Sequence, residues 1–287
     1  MAEKLYLNGR LVPASQARLS PFDHGFLYGF GLFETMRAYG GCIFRLDRHT
    51  ARLRNAARTL GLADRLGGVS LEKACEDTLA ANGLGDARLR LSVSAGEGDM
   101  LPDPESCPRP TVLVAARALT PLPSERYEEG FSAVLSSLRR DSHSPLSQLK
   151  TACYLGSVLA RSEARKAGAD EAILLNEHGR LAEASSSNLF VVRGGQLLTP
   201  SVGSGVLPGI TREAVLELAR RLGIYSAERE LGFTELAEAE EAFLTNSIIE
   251  VMPLTSFAGK PVGSGRPGET TRKLMAAYRD LVERSLR

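Results

Sequence analysis

Long apolar runs, paired cysteines and an excess of charge are all missing from this chain, and each absence removes a class of function. No stretch is long enough to cross a bilayer, and the opening Met-Ala-Glu-Lys-Leu-Tyr-Leu-Asn-Gly-Arg lacks the apolar core of a signal peptide. A cytoplasmic protein without membrane contact is expected. The 35 basic and 34 acidic residues leave a net charge of +1, with no basic block and no interleaving of aromatics and cations, which argues against nucleic acid as a partner. Cys42, Cys75, Cys107 and Cys153 are far apart, with no Cys-x-x-Cys pair and no histidine nearby at ligand spacing, so four reduced thiols and no metal are expected. His24, His49, His143 and His178 are scattered along the chain. Dinucleotide-binding, Walker, nucleophile-elbow and zinc-protease motifs are also absent. The 287 residues, 43% of them hydrophobic, suffice for one large or two medium domains.

Lysine is scarce too, with only 6 among the 35 basic residues. One of them, Lys150, is isolated: between Asp141 and Arg161 no other Lys, Arg, Asp or Glu occurs. An amine can lose its proton when desolvated and act as nucleophile or base, whereas a guanidinium stays charged. An isolated lysine can equally be a plain surface residue. Downstream, Glu183-Ala-Ser-Ser-Ser-Asn188-Leu-Phe190 follows one carboxylate with a run of small hydroxyls, and this segment also reads as a strand end and its loop. A lysine that binds a carbonyl carbon, together with a carboxylate for a ring nitrogen, is the minimum equipment of a pyridoxal phosphate (PLP) enzyme.

Asn8-Gly9 between short apolar runs predicts an N-terminal hairpin. The glycines at 25, 29 and 31 suit a compact loop entering a strand over 32–39, with Phe33, Thr35, Arg37 and Tyr39 on one face, as a pocket wall or as plain core. Asp47 is expected to cap a helix reaching Leu60, on whose flanks Arg52 and its fellow arginines would ordinarily be solvated. A helix over 70–81 and strands over 87–95 and 111–116 follow. Residues 119–130, rich in proline and polar side chains, read as a linker between a small domain, 1–118, and a larger one, 131–287. In the second domain we expect a strand over 131–138 and a helix over 151–166. An antiparallel meander through Glu183 and Val192 comes next, and a closing helix over 270–286 ends the chain. Pro208-Gly-Ile-Thr211 opens directly into a helix, a start whose free N–H groups can cradle phosphate, although many such starts bind nothing.

Taken together and in order, Phe22-Asp-His-Gly-Phe-Leu-Tyr-Gly with Phe33-Glu-Thr-Met-Arg37, Asp47-Arg-His-Thr-Ala-Arg52-Leu, Leu149-Lys150, Glu183 to Phe190, Leu207-Pro-Gly-Ile-Thr-Arg212 and Thr245-Asn-Ser-Ile-Ile-Glu-Val-Met-Pro253 carry a resemblance. The chain resembles the fold type IV, or class IV, PLP-dependent aminotransferase superfamily, which includes branched-chain aminotransferases, D-amino-acid aminotransferases and aminodeoxychorismate lyases. The resemblance implies an α+β fold with a barrel-like β structure in the larger domain, PLP between the domains and a homodimer. It gives Lys150 the role of Schiff-base lysine and Arg52 that of phosphate ligand. Glu183 would partner the pyridine nitrogen. Ile210, Thr211 and Ser247 would complete the phosphate cup, Ser187 would face the cofactor, and Tyr154 is a candidate neighbour of its phenolic oxygen. Tyr28, Arg37 and Arg88, with Arg90, are candidates for binding substrate.

Branched-chain enzymes usually read Phe-Glu-Gly where this chain reads Phe33-Glu34-Thr35, and aminodeoxychorismate lyases often carry threonine there. No Arg-x-His of the familiar D-amino-acid type follows the strand at Ala87. These features favour 4-amino-4-deoxychorismate lyase, releasing pyruvate and 4-aminobenzoate for folate synthesis, with the Lys150 amine taking the ring proton and Thr35, or a water it positions, protonating the leaving enolpyruvyl group. An aminotransferase acting on D- or branched-chain amino acids with 2-oxoglutarate is the alternative.

Overall fold

The described residues fold into two units. The computed structural model describes residues 3–286, so the outermost ends of both expected domains, residues 1, 2 and 287, lie outside it. Of the described residues, one compact unit comprises 3–120, Leu149–Cys153 and 285–286; the other comprises Pro121–Gln148 and Tyr154–Arg284.

The first unit begins with the hairpin β1 (Lys4–Leu7) and β2 (Arg10–Pro13), whose turn residues Asn8 and Gly9 both take positive φ, 47° and 93°. A tight two-residue hairpin requires that conformation, and this pair tolerates it best. The short helix α1 (His24–Tyr28) leads into β3 (Gly31–Tyr39) and β4 (Cys42–Ile43). Helices α2 (Leu46–Thr59) and α3 (Leu71–Ala81) precede β5 (Ala87–Ser94) and β6 (Thr111–Ala118). The six strands form one sheet in the order β2-β1-β6-β5-β3-β4, antiparallel throughout. Alternate residues of its central strands (Leu32, Met36, Leu89, Leu91, Val112, Val114) share a core with Leu53 and Ala57 of α2 and Leu71, Cys75 and Leu79 of α3. Period two on the strands and 3.6 on the helices thus meet on one apolar seam.

In the second unit, α4 (Ser124–Glu129) occupies part of the segment expected as linker and is followed by β7 (Phe131–Arg140), α5 (Leu155–Lys166), β8 (Glu171–Asn176) and β9 (Leu181–Ala184). Then come β10 (Asn188–Arg193), β11 (Gln196–Pro200), α6 (Ile210–Arg221), β12 (Ser226–Arg229) and α7 (Phe233–Ala237). β13 (Glu241–Asn246), β14 (Glu250–Phe257), β15 (Lys260–Pro261) and α8 (Glu269–Ser285) end the chain. Nine strands make a single curled sheet, β12-β11-β10-β13-β14-β7-β8-β9, with β15 added on β14. Ile173, Leu189, Val191, Leu244 and Met252 fill one side. Ala160 and Ala164 of α5 lie close on Ala172 and Leu174 on the other, so the middle strands are buried on both faces. The fold is α+β, as expected. Among the described residues no helix is long and apolar enough to cross a membrane.

Three local expectations are corrected. Asp47 lies in the first turn of α2 and not at its cap; Arg45, with φ 51°, holds that position without a side-chain cap bond. The expected meander is broken, because β9 pairs only with β8 while β10 pairs with β11 and β13. The helix expected from Thr151 starts at Leu155. Its first residues are drawn away by pairing with β3: Phe33 N donates to the Lys150 carbonyl at 2.9 Å, Ala152 N donates to the Gly31 carbonyl at 2.8 Å, and Thr151 bridges Leu32. Local periodicity carries no information about such a distant partner.

Candidate active site

The residues singled out in the sequence divide between the two units, and each group has its own geometry. In the first unit, residues 149–153 run beside the start of β3, which places Lys150 Nζ 4.6 Å from the centroid of the Phe33 ring. The same ring carries the Arg90 guanidinium at 3.3 Å. β3 and β5 pair Thr35 with Arg90 and Arg37 with Arg88, and directly opposed residues of an antiparallel pair point to one side. Phe33, Thr35, Arg37, Arg88 and Arg90 therefore share the face turned away from the core, and the predicted strand face is a cationic and aromatic wall. Arg37 is buried, with its guanidinium 4.4 Å from the Tyr39 ring. Thr35 is half-buried within it.

On the opposite side of β3, Glu34 points toward α2 and meets two of its residues. Arg52 donates through Nε to Oε1 at 2.7 Å and through Nη2 to Oε2 at 2.6 Å, and His49 Nδ1 lies 2.7 Å from Oε2. Glu34 is only 1% exposed. Burial alone would push its carboxyl up, but the Arg52 charge and the hydrogen bonds from His49 and Arg52 outweigh that and bring it down to about 2. An ionised carboxylate only accepts, so His49 carries its proton on Nδ1. Burial, opposed by the bond to Glu34, depresses the imidazole and keeps it neutral. Arg52 is thus clamped along one edge of its guanidinium and is no freely solvated arginine. Sequence reasoning named Arg52 but missed Glu34 and His49 as its partners; the available signal was Glu34 on β3 and an arginine and histidine three apart on α2.

Tyr28 ends α1, and its hydroxyl donates to the Met100 carbonyl. Asp23 caps this helix at Gly25 N and also accepts from Ser94 and Thr111, tying α1 to β5 and β6. Gly29 follows at φ 68°, and a Cβ there would stand 2.7 Å from Cys153 Sγ. The chain just beyond Lys150 needs that glycine.

The second unit gathers the other group. Glu183 Oε2 accepts from Leu207 N at 3.0 Å and from Asn188 Nδ2 at 3.4 Å, while Oε1 pairs with Arg140 at 3.1 Å. Asn188 also donates to the Leu207 carbonyl at 2.9 Å, and a Cβ on Gly209 would come within 2.0 Å of its Oδ1. The loop before α6 is therefore moulded around Asn188. Ile210 and Thr211 are buried at the start of α6, whose N-cap, Gly209, makes no side-chain cap bond. Asn188 also pairs with Thr245, whose buried Oγ1 has no hydrogen-bond partner among the described residues. An uncapped helix start beside an orphaned hydroxyl is what a phosphate would complete.

Ser187 belongs to a loop organised by a residue the sequence reading missed. Glu171, 1% exposed, accepts from the hydroxyls of Ser185, Ser186 and Ser187 and pairs with Arg161 at 3.1 Å. Asn246 donates to the Ser186 carbonyl at 3.1 Å and accepts from Ile248 N and Ile249 N, fixing the turn that holds Ser247 beside this loop. Tyr154 donates to the Ser185 carbonyl at 3.4 Å, and burial with the nearby Glu183 charge pushes its phenol up, so it stays neutral. Glu183, Ser187, Ile210, Thr211, Ser247 and Tyr154 lie in the second unit, and Lys150, Thr35, Arg52, Arg37 and Arg88 lie in the first, with Arg52 bound to Glu34 on the opposite side of β3 from Thr35, Arg37 and Arg88. Taken unit by unit, the groups are of the kinds PLP needs: in the second unit an uncapped helix start suits a phosphate and the Glu183 carboxylate suits a ring nitrogen, and in the first unit Lys150 offers an amine and Arg52 a cation.

Comparison with known proteins agrees with this chemistry. The family model described as "Amino-transferase class IV" matches residues 31–257. The "Putative branched-chain-amino-acid aminotransferase" of Methanocaldococcus jannaschii is 39% identical over 281 residues, covering 97% of this chain and 96% of that protein. The aminodeoxychorismate lyase of Bacillus subtilis is 35% identical over 281 residues, covering 97% and 94%. Among solved structures, the branched-chain amino acid aminotransferase of Thermobaculum terrenum in its PLP-bound holo form superposes with a TM-score of 0.85 at 28% identity, covering 99% of this chain and 95% of that one.

Proposed function

This chain belongs to the class IV aminotransferase family, and on that premise we propose that it is a PLP-dependent aminotransferase exchanging amino groups between branched-chain amino acids and 2-oxoglutarate. The relatives carry this reading beyond the sequence motifs, which favour the lyase: an aminotransferase is the more similar of the two named proteins, at 39% against 35%, and the solved structure is an aminotransferase. The observation in the structure that supports it is the wall of Arg37, Arg88 and Arg90 beside Lys150, suited to substrates that always bring a carboxylate and in one half-reaction bring two.

PLP, when bound, supplies an electron sink for breaking the bond between carbon and hydrogen next to the substrate nitrogen. Lys150 would hold the cofactor's carbonyl carbon, and its Nζ would be the group that moves a proton. Glu183 would hold a proton on the ring nitrogen, and its place is fixed by Leu207 N, Asn188 and Arg140. In the first unit Arg52, kept in position by Glu34, would be a phosphate ligand; in the second the start of α6 at Ile210 and Thr211, and Ser247, would be. Tyr154, kept neutral and with its hydroxyl donating to the Ser185 carbonyl, would be a neighbour of the ring oxygen. Tyr28, Arg37 and Arg88 orient the substrate. A homodimer is part of the proposal, supported by Leu155, Val158 and Leu159, an apolar stripe on α5 that remains 68%, 56% and 48% exposed.

One observation favours the lyase as a second reading: Thr35 stands in the arginine wall, on the strand beside Lys150, as a hydroxyl able to deliver a proton. Purified holoenzyme given L-leucine, L-isoleucine or L-valine with 2-oxoglutarate should form glutamate. Formation of 4-aminobenzoate and pyruvate from aminodeoxychorismate, without that activity, overturns the first reading in favour of the second. Turnover of D-amino acids alone overturns both.

A further inference from the structure

The sequence scatters its histidines, but the fold brings two of them together around a carboxylate that has no role given above. His143 follows β7, and His178 lies in the turn between β8 and β9. Glu177 Oε1 is 3.5 Å from His143 Nε2 and 3.2 Å from His178 Nε2, and one ligand atom from each of the three residues lies within 4.8 Å of the others. The imidazoles meet edge to face at 86°, centroids 5.5 Å apart. We propose that His143, Glu177 and His178 form a surface site for a borderline divalent transition ion such as Zn2+.

The spacing supports coordination. With metal–ligand bonds of about 2.05 Å, two ligands at a tetrahedral angle lie about 3.4 Å apart, and the two measured separations to Glu177 bracket that value. Two imidazoles and one carboxylate suit Zn2+, Ni2+ or Cu2+ and not Mg2+ or Ca2+, which prefer all-oxygen shells. All three side chains are exposed, so the remaining coordination positions open to water. The ligands are also held from behind. Ser142 N donates to Glu177 Oε2 at 2.9 Å and Ser142 Oγ donates to Oε1. Asp141 accepts from His143 N at 2.9 Å, and the buried Asn176 accepts from His178 N at 3.0 Å, so both histidine backbones are pinned by neighbouring side chains. Such supporting contacts orient metal ligands elsewhere. A bound ion would tie the β8–β9 turn to the chain leaving β7.

The test is calorimetric titration of chelator-dialysed holoenzyme with Zn2+ alone, beside H143A, H178A and E177Q, all exposed positions whose replacement leaves the core intact. The wild type is expected to take one Zn2+ per chain at this site, with affinity falling at least tenfold in each histidine variant and Mg2+ giving no response. Saturating Zn2+ should raise the wild-type Tm by about 3 °C and leave that of the H143A/H178A double variant unchanged. Equal Zn2+ affinity and equal Tm response in the wild type and the double variant would overturn the proposal, because the ion would then be held elsewhere, with the exposed Cys42 and Cys153 the first places to look. Absence of any binding would overturn it as well.

Discussion

Replacing Glu34 by Gln removes the charge that clamps Arg52 while keeping nearly the same shape. Glu34 is 1% exposed, and its carboxyl is held at about 2 against an ordinary 4.5. At about 1.4 kcal/mol per pKa unit, that difference corresponds to a stabilisation of about 3 kcal/mol near neutral pH. Removing one partner of a buried ion pair typically costs about 3–5 kcal/mol, in line with this figure. The sign of the pH dependence follows from the depressed carboxyl: the contribution is complete above about 4.5 and is lost as the pH falls toward about 2. In E34Q the guanidinium of Arg52 and the Nδ1–H of His49 both face an amide that can accept with one oxygen only. Urea unfolding at neutral pH should show E34Q less stable by about 3 kcal/mol, and the acid slope of the wild type between pH 4.5 and 2 should be reduced in the variant. Spectroscopic titration with PLP should show at least a tenfold weaker dissociation constant, because Arg52 would no longer be oriented. E34Q with wild-type stability and wild-type cofactor affinity would refute the clamp.

Lys150→Ala should abolish turnover and the visible absorbance of the covalently bound cofactor, leaving bound PLP removable by gel filtration; retention of both covalent adduct and turnover would show that another amine carries the chemistry. Gly209→Ala would drive a Cβ against Asn188 Oδ1, 2.0 Å away, and should cost about 1–3 kcal/mol of stability while weakening cofactor retention, as read by thermal melting and by PLP content after dialysis. Glu171→Gln would loosen the serine loop from 185 to 187 and leave Arg161 without its partner; a loss of about 1–3 kcal/mol in urea unfolding is expected, and an unchanged midpoint would show that the serines hold their loop without it.

Sequence reading succeeds here where one residue's chemistry or one element's period carries the information. The strand face of Phe33, Thr35, Arg37 and Tyr39 was legible from alternation alone, because β3 is regular from Gly31 to Tyr39. Lys150 was legible as an isolated amine, yet the helix drawn onto it was not, because its neighbours pair with residues more than a hundred positions upstream. Arg52 shows the limit most clearly. On the pattern of α2 it belongs to a basic flank, and a solvated face is the cheapest place for a guanidinium. What overrides that preference is Glu34, which alternation assigns to the apolar side of β3, where a lone carboxylate would be costly to bury. Neither residue is explicable alone. A carboxylate in a core and an arginine beside a core imply each other, and the histidine one turn before Arg52 satisfies the acceptor capacity that a single guanidinium edge leaves over. A buried acid on a strand face is therefore a prompt to search the covering helix for its cation, and in this chain that search leads from Glu34 to Arg52.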